Sequence, residues 1–131
     1  MTPMASGVHF KLNSAEAITF VIYEVSGSTV IGMKESIAGA SEQNLLLSRR
    51  ITSNGVGTAQ LWTERTQTAS ATITKNDTTA ENCTLVTVTA PQLSAGFDCV
   101  ECTVDGAALC IAIIHDLSVD RSPALLAAPA V

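Results

Sequence analysis

The stretch that decides the fold class is residues 97–117, Phe-Asp-Cys-Val-Glu-Cys-Thr-Val-Asp-Gly-Ala-Ala-Leu-Cys-Ile-Ala-Ile-Ile-His-Asp-Leu. Both halves are rich in apolar and β-branched residues, which favour strands. Asp105-Gly106 separates them, and Asp-Gly is a preferred pair for a two-residue type I′ turn. We therefore predict a β-hairpin over residues 97–117.

A second strand is predicted over Ala17–Val25, where the sequence alternates with a period of two. Apolar or β-branched residues occupy both of its faces: Ile18, Phe20 and Ile22 on one, and Thr19, Val21 and Tyr23 on the other. A strand of this kind is typically covered on both sides. The glycine-containing break at residues 26–28 and the apolar run at 29–33 predict a second hairpin.

The remaining segments extend the β pattern. Residues 43–52 and 58–63 predict a further strand pair around Gly55 and Gly57, and residues 69–74 and 86–89 alternate with a period of two. Residues 36–47 have room for a helical turn or two but no sustained helical spacing. The prediction is an all-β, single-domain antiparallel sandwich or barrel.

Both ends of the chain depart from this pattern. We divide the 131 residues into an N-terminal arm (1–7), a β domain (8–117) and a C-terminal arm (118–131), because prolines in both end segments disfavour regular pairing. The C-terminal arm is apolar where a solvated tail would be polar. We expect it to contact a neighbouring subunit through Pro123, Leu125, Leu126, Pro129 and Val131.

Composition narrows the class of function. The chain is 47% hydrophobic and 15% charged, which excludes an intrinsically disordered chain and a charged coiled coil. Its net charge of −5 argues against nucleic-acid binding, which needs a basic face. Residues 1–75 carry six bases and five acids, whereas residues 76–131 carry one base and seven acids. A solvated acidic surface accounts for this asymmetry, and an oriented contact with a complementary subunit is the alternative.

No targeting feature stands out in the sequence. The first ten residues lack the basic start and apolar run of a secretory signal, and no stretch reaches 18 apolar residues. We expect a soluble chain with no membrane partner, made in the cytoplasm unless a leader was removed.

The four cysteines include one Cys-x-x-Cys pair, Cys99 and Cys102. In the predicted hairpin these two point to opposite faces, so they do not converge on zinc or form a redox pair. We expect buried thiols and no bound metal, and a disulfide from Cys83 to another cysteine is left open.

Candidate catalytic groups are few. His9 and His115 are the only side chains suited to proton transfer near neutral pH. His115 adjoins Asp116, but neighbouring strand residues point apart unless the strand is bulged. An enzyme would need a pocket that gathers a histidine with carboxylates. Known nucleophile, phosphate-loop and zinc-protease motifs are absent, so we expect no catalytic residue and no cofactor.

Two further features receive structural interpretations. Trp62 offers a sugar-stacking platform, but aromatic residues make up only 4% of the chain, so a core tryptophan is expected. Arg49, Arg50 and Arg65 form the one basic cluster. Arg49 and Arg50 face opposite ways in a strand and do not form a phosphate clamp.

A small, charge-poor β domain with Pro-containing arms resembles the β-structured virion proteins of tailed bacteriophages, of the capsid decoration or cement type. The likeness lies in the strand-rich middle, 17–117, and in the arms Met-Thr-Pro-Met-Ala-Ser-Gly and Arg-Ser-Pro-Ala-Leu-Leu-Ala-Ala-Pro-Ala-Val. It implies a non-enzymatic protein of the virion that stabilises the head lattice by binding itself or the major capsid protein. The alternative is a binding module for a glycan or surface receptor, carried on a larger assembly.

Overall fold

The alternating stretches fold as strands, and the computed structural model describes residues 2–3, 7–12, 15–24, 30–53, 61–74, 82–105 and 108–117. The elements within those ranges are β1 (Thr2–Pro3), β2 (His9–Lys11), β3 (Ala15–Glu24), β4 (Val30–Ile37), β5 (Ala40–Asn44), β6 (Leu47–Ser53), β7 (Thr63–Ser70), β8 (Thr72–Thr74), β9 (Cys83–Thr89), a 3-10 turn (Ala90–Gln92), β10 (Cys99–Asp105) and β11 (Ala108–Leu117).

The strands form two antiparallel sheets. The six-stranded sheet has the order β1-β11-β3-β9-β6-β7, and the five-stranded sheet has the order β2-β10-β4-β5 with β8 also beside β4. Neither sheet closes on itself, so the architecture is a β-sandwich. The predicted all-β class is confirmed.

The hydrophobic core lies between the two sheets. Phe20 comes from the six-stranded sheet and Phe10 from the five-stranded sheet, and their rings meet edge to face with centroids 6.1 Å apart. This geometry is favourable for aromatic pairs. Around them lie other fully buried side chains: Ile18, Ile22, Ile31, Met33, Ile73, Val86 and Val88.

The predicted hairpin over residues 97–117 is wrong in its pairing. Strands form on both sides of residues 106–107, but β10 pairs with β2 and β4, whereas β11 pairs with β3 and β1. The two strands therefore belong to different sheets and face each other across the core. A turn signal predicts a reversal of the chain, but it does not determine which strands share hydrogen bonds.

The predicted hairpin over residues 17–33 fails in the same way, because β3 and β4 also lie in different sheets. The third predicted pair is confirmed only in part. β6 has an antiparallel neighbour after residues 54–60, but that neighbour is β7, which shares only Thr63 with the predicted partner, residues 58–63. Residues 58–60 lie outside the described residues, and residues 43–44 belong to β5 in the other sheet. Residues 36–47 contain no helix. They include the tight turn that joins β4 to β5, with positive φ at Ala38 (51°) and Gly39 (82°).

Two chain segments cross from one sheet to the other at the same side of the sandwich. Residues 45–46 join β5 to β6, and Ala71 alone separates β7 from β8. The backbone of Met33 accepts from Leu45 N (3.1 Å) and donates to Ala71 O (2.9 Å). The Gln67 amide donates to Leu47 O (3.2 Å) and Thr72 O (3.1 Å). Backbone and side-chain bonds thus hold the two crossings together.

Part of the predicted N-terminal arm pairs with the sandwich. Thr2 lies opposite Ala112 and Pro3 opposite Ile111 at the edge of the six-stranded sheet. Proline is compatible with an edge strand because its missing N–H can face away from the ladder. The C-terminal arm, with its expected interface residues, lies outside the described residues.

A buried carboxylate anchors the segment that precedes β10. Glu35 is 1% exposed and accepts hydrogen bonds from the Ser94 backbone N–H (2.8 Å), the Ser94 hydroxyl and the Gln43 amide. Burial raises the pKa of Glu35, but these hydrogen bonds lower it more, so the net shift is downward. The ionised carboxylate is the form that the fold stabilises.

The core predicts a large cost for truncating Phe20. The Phe20→Ala variant should lose about 3–5 kcal/mol of unfolding free energy, measured by urea denaturation, because a buried ring is replaced by a cavity. Leu61→Ala is the control, since Leu61 is 81% exposed, and it should change stability by less than about 0.5 kcal/mol. Equal losses in the two variants would contradict the described core.

Glu35 predicts a pH-dependent contribution to stability. A carboxyl with a lowered pKa in the folded state stabilises the protein above its unfolded pKa of about 4.3, and this contribution disappears as the pH falls through the folded value. Glu35→Gln should therefore cost about 1–3 kcal/mol at pH 7, and progressively less as the pH falls below the unfolded pKa. Glu16→Gln, at an exposed position of β3, is the control. A Glu35→Gln cost that does not change with pH would contradict the assignment.

Candidate functional site

The outer face of the six-stranded sheet is apolar. Its central row runs across four strands through Ile111, Val21, Leu85 and Ile51, which lie opposite one another in register. Adjacent rows add Leu109, Tyr23 and Ile113. Leu109 is 55% exposed and Ile51 42% exposed, and the others are half-buried.

The sequence did not predict that these residues form one continuous apolar face. The outward residues of β3 were identified, because that strand is apolar on both sides. Leu85 and Ile51 were not connected with it, because their place beside Val21 depends on pairings between distant segments. A signal was present in β9, where Leu85 interrupts the simple alternation of threonine and valine.

A polar network lies on the same face, at one end of β11. His115 contacts Asp116 through Nδ1 (2.9 Å) and the Thr19 hydroxyl through Nε2 (2.8 Å), and Thr19 in turn bonds Thr87 (2.8 Å). The expectation that His115 and Asp116 point apart is wrong. Asp116 has a φ of 55°, and this local left-handed conformation accompanies the contact between its carboxylate and the ring.

The chain carboxylate–imidazole–hydroxyl resembles the order of groups in a hydrolase triad. Such a triad also needs donors for an oxyanion beside the hydroxyl. Thr19 lies in β3, whose two edges are both paired, with β11 and with β9. The backbone N–H groups around Thr19 are therefore used in hydrogen bonds within the sheet. We interpret the network as a set of side-chain hydrogen bonds that links β11, β3 and β9.

A shallow groove of about 370 Å³ adjoins this network on the outer face. Neither histidine lines it, and its exposed charges are paired, since Arg49 and Glu64 form a bidentate ion pair (2.9 and 3.0 Å). Arg50 is 3% exposed whereas Arg49 is exposed, which confirms that the two arginines face opposite ways. The lining residues are Leu47, Ser48, Arg49, Arg50, Ile51, Glu64, Leu85, Thr87 and Gln92.

A second cluster lies on the five-stranded sheet around His9. His9, Glu101 and Lys34 are in register on β2, β10 and β4, so their side chains share one face. His9 Nε2 is 3.2 Å from Glu42 Oε1 and 3.8 Å from Glu101 Oε2, and His9 Nδ1 bonds the Ser36 hydroxyl at 2.9 Å. His9 and Glu101 are buried, whereas Glu42 is exposed.

Lys34 completes the electrostatics of this cluster. Its ammonium donates to Glu42 Oε2 at 2.8 Å. This hydrogen bond lowers the pKa of Glu42 and raises the pKa of Lys34, so both groups are held in their charged forms. The cluster contains two carboxylates, Glu42 and Glu101, and one ammonium, Lys34. With a neutral His9 imidazole its net charge is therefore negative.

The four cysteines are all described as thiols, and three are buried. Cys102 packs in the core against Cys110 from the other sheet, whereas Cys99 Sγ lies 3.4 Å from Asp98 Oδ1 outside the core. The expectation that Cys99 and Cys102 face opposite ways is confirmed. The hydrogen bond to Cys110, together with burial, raises the pKa of Cys102.

The expectation that Trp62 is a core residue is wrong. Trp62 immediately precedes β7 and is 54% exposed. Other aromatic residues are placed differently: Phe10 and Phe20 are buried in the core, and Tyr23 and Phe97 are half-buried. Trp62 is therefore a single exposed indole rather than a member of an aromatic platform.

Within the described part of the chain, no helix has the length and apolar character needed to cross a membrane. Comparison with known proteins gives no match to a family model, to a curated protein or to a solved structure. The candidate sites are therefore interpreted from their own geometry.

The exposure of Trp62 predicts a simple spectroscopic result. The chain contains one tryptophan, so its fluorescence reports on that residue alone. We expect the red-shifted emission of indole in water, with efficient quenching by acrylamide in the folded protein. A blue-shifted, quencher-resistant emission that changes only on denaturation would contradict this placement.

Proposed function

We propose that this protein is a non-enzymatic assembly subunit that binds neighbouring protein subunits, beginning with copies of itself, through the outer face of the six-stranded sheet. The observation that carries the proposal is the row Ile111, Val21, Leu85 and Ile51, which leaves an apolar surface on the outside of a sandwich. Apolar contact area removed from water stabilises an interface by roughly 25 cal/mol per Å².

The size of this face also bears on how it is used. Four strands about 4.8 Å apart and three side-chain rows about 6.8 Å apart give a patch on the order of 400 Å². A stable interface buries about 800 Å² on each partner. The face is therefore a suitable centre for an interface but needs further contacts, and the apolar C-terminal arm of a neighbouring copy supplies them in this proposal.

The arm has properties that suit this role. Leu125, Leu126 and Val131 are apolar, and Pro123 and Pro129 restrict φ and so reduce the entropy lost on docking. The geometry around the histidines adds support for a non-enzymatic role, because the backbone N–H groups around Thr19 are used in the sheet. Among the described residues, neither histidine lines the groove.

The resemblance to capsid decoration proteins is the most specific form of the proposal. In that form the chain is a component of a virion, made in the host cytoplasm, and it reinforces the head lattice by contacts with itself or with the major capsid protein. This role in assembly requires no cofactor and no contact with nucleic acid.

A glycan-binding module is the second candidate, and one observation favours it: the exposure of Trp62. Carbohydrate sites usually combine several aromatic surfaces, and no other described aromatic residue has comparable exposure. Protection of Trp62 fluorescence from acrylamide by a panel of sugars would favour this function over assembly.

Substitutions on the outer face should separate association from folding. Ile51→Lys and Leu109→Lys place a charge in the apolar face at already exposed positions, so they should abolish concentration-dependent self-association in sedimentation experiments and change the melting temperature by only a few degrees. Leu61→Lys is the matched control, because Leu61 is 81% exposed and lies outside the rows. A wild-type chain that remains monomeric at every concentration would refute self-association.

Truncation after Val119 tests the arm. The shortened chain should keep the melting temperature of the monomer but lose self-association and incorporation into particles. Unimpaired assembly would refute the role of the arm. A large loss of monomer stability would show instead that the arm covers its own sandwich.

A further inference from the structure

We propose that His9, Glu42 and Glu101 form a binding site for one divalent transition-metal ion. The site lies on the five-stranded sheet and joins three strands, β2, β5 and β10. It is independent of the apolar face, which belongs to the other sheet.

The positions of the ligand atoms support the proposal. One atom from each residue, His9 Nε2 and one oxygen from each carboxylate, lies within 4.8 Å of the other two. Ligands about 2.0–2.2 Å from a common ion are separated from one another by about 3–3.5 Å. The separations from His9 Nε2, 3.2 Å to Glu42 and 3.8 Å to Glu101, need little closure of the side chains. The two carboxylate oxygens lie within 4.8 Å of each other and would approach by no more than about 1–2 Å.

A second, independent observation comes from Glu101. Its side chain is 5% exposed, and its Oε2 atom has no hydrogen-bond partner among the described residues. A buried carboxylate oxygen without a donor is costly, because it has lost water and gained no replacement. The same oxygen is the one directed towards His9 Nε2, so a bound cation would satisfy it.

Neighbouring groups orient the ligands in the way that metal sites require. The Ser36 hydroxyl holds His9 through Nδ1 and leaves Nε2 directed at the carboxylates. Lys34 holds Glu42 through Oε2 and leaves Oε1 directed at His9. Hydrogen bonds to the remote atom of each ligand are typical of metal centres, where they fix ligand orientation.

The chemistry of the ligands indicates the class of ion. One imidazole nitrogen and two carboxylate oxygens suit Zn²⁺, Co²⁺ and Mn²⁺, whereas Ca²⁺ prefers six to eight oxygens. The side chain of Glu42 is 39% exposed, so the ion has access from solvent and room for a water ligand. By the usual order of affinities, Zn²⁺ should bind more tightly than Mn²⁺.

The sequence-based expectation of no metal rested on the cysteines and on the absence of a zinc-protease motif. His9 had been assessed as a general base, and its contact with Glu101 depends on the β2–β10 register. The proposal therefore differs from that expectation, because it rests on His9, Glu42 and Glu101, which the sequence pattern does not place together.

The test uses the full chain, stripped with a chelator and titrated with Zn²⁺ by calorimetry and with Co²⁺ by visible absorption. We expect one ion per chain and a rise in melting temperature on binding. Glu101→Gln should weaken binding at least about tenfold while keeping the shape of the side chain. Glu42→Gln should do the same and, at an exposed position, should fold even if Glu101→Gln does not.

Matched controls address the other ionisable pairs. His115→Asn removes the second histidine and Glu64→Gln removes an exposed acid, and both should bind Zn²⁺ like the wild type. The proposal is overturned if the wild type binds no stoichiometric metal. It is also overturned if Glu42→Gln binds normally, or if His115→Asn alone abolishes binding.

Discussion

The central constraint in this structure is that β3 is hydrogen-bonded along both edges while carrying apolar side chains on both faces. β11 and β9 occupy its two edges, so β3 has no free edge with which β4 or β10 could pair. Its inner face, with Phe20, forms the core against the five-stranded sheet. Its outer face, with Val21, then lies in the middle of the apolar surface. The proposed assembly function follows from this second face.

The sequence predicted the class of fold better than its pairing. Period-two alternation placed strands near β3 and β9, and the apolar, β-branched composition of residues 97–117 placed strands near β10 and β11, because both are local properties of the chain. Pairing is a property of distant segments, and the Asp105-Gly106 signal was compatible either with a hairpin or with a crossing between sheets. In the structure the chain crosses between the sheets at this point, because both edges of β10 are paired, one with β2 and the other with β4.

The candidate sites were even less accessible to sequence reasoning. His9 and Glu101 are far apart in the chain, and only the register between β2 and β10 makes them neighbours. Asp116 reaches His115 through a left-handed backbone conformation, which aspartate adopts more often than most residues but which a strand pattern does not predict. In contrast, the opposite orientations of Arg49 and Arg50 were predicted correctly, because they depend only on strand geometry. The two outer faces thus differ in chemistry, one being apolar and the other holding a buried polar cluster.

The packing of Cys102 against Cys110 provides a way to measure how often the domain opens, both in the isolated subunit and within an assembly. Cys102 is 1% exposed and lies between the two sheets, so a thiol reagent reaches it only when the sheets separate. Its labelling rate therefore counts rare opening events of the whole domain, whereas the half-buried Cys83 responds to smaller fluctuations. The chain therefore carries a natural reporter of global opening, which a thiol reagent reads without any substitution in the sequence, and its rate can be compared between the isolated subunit and any particle that contains it.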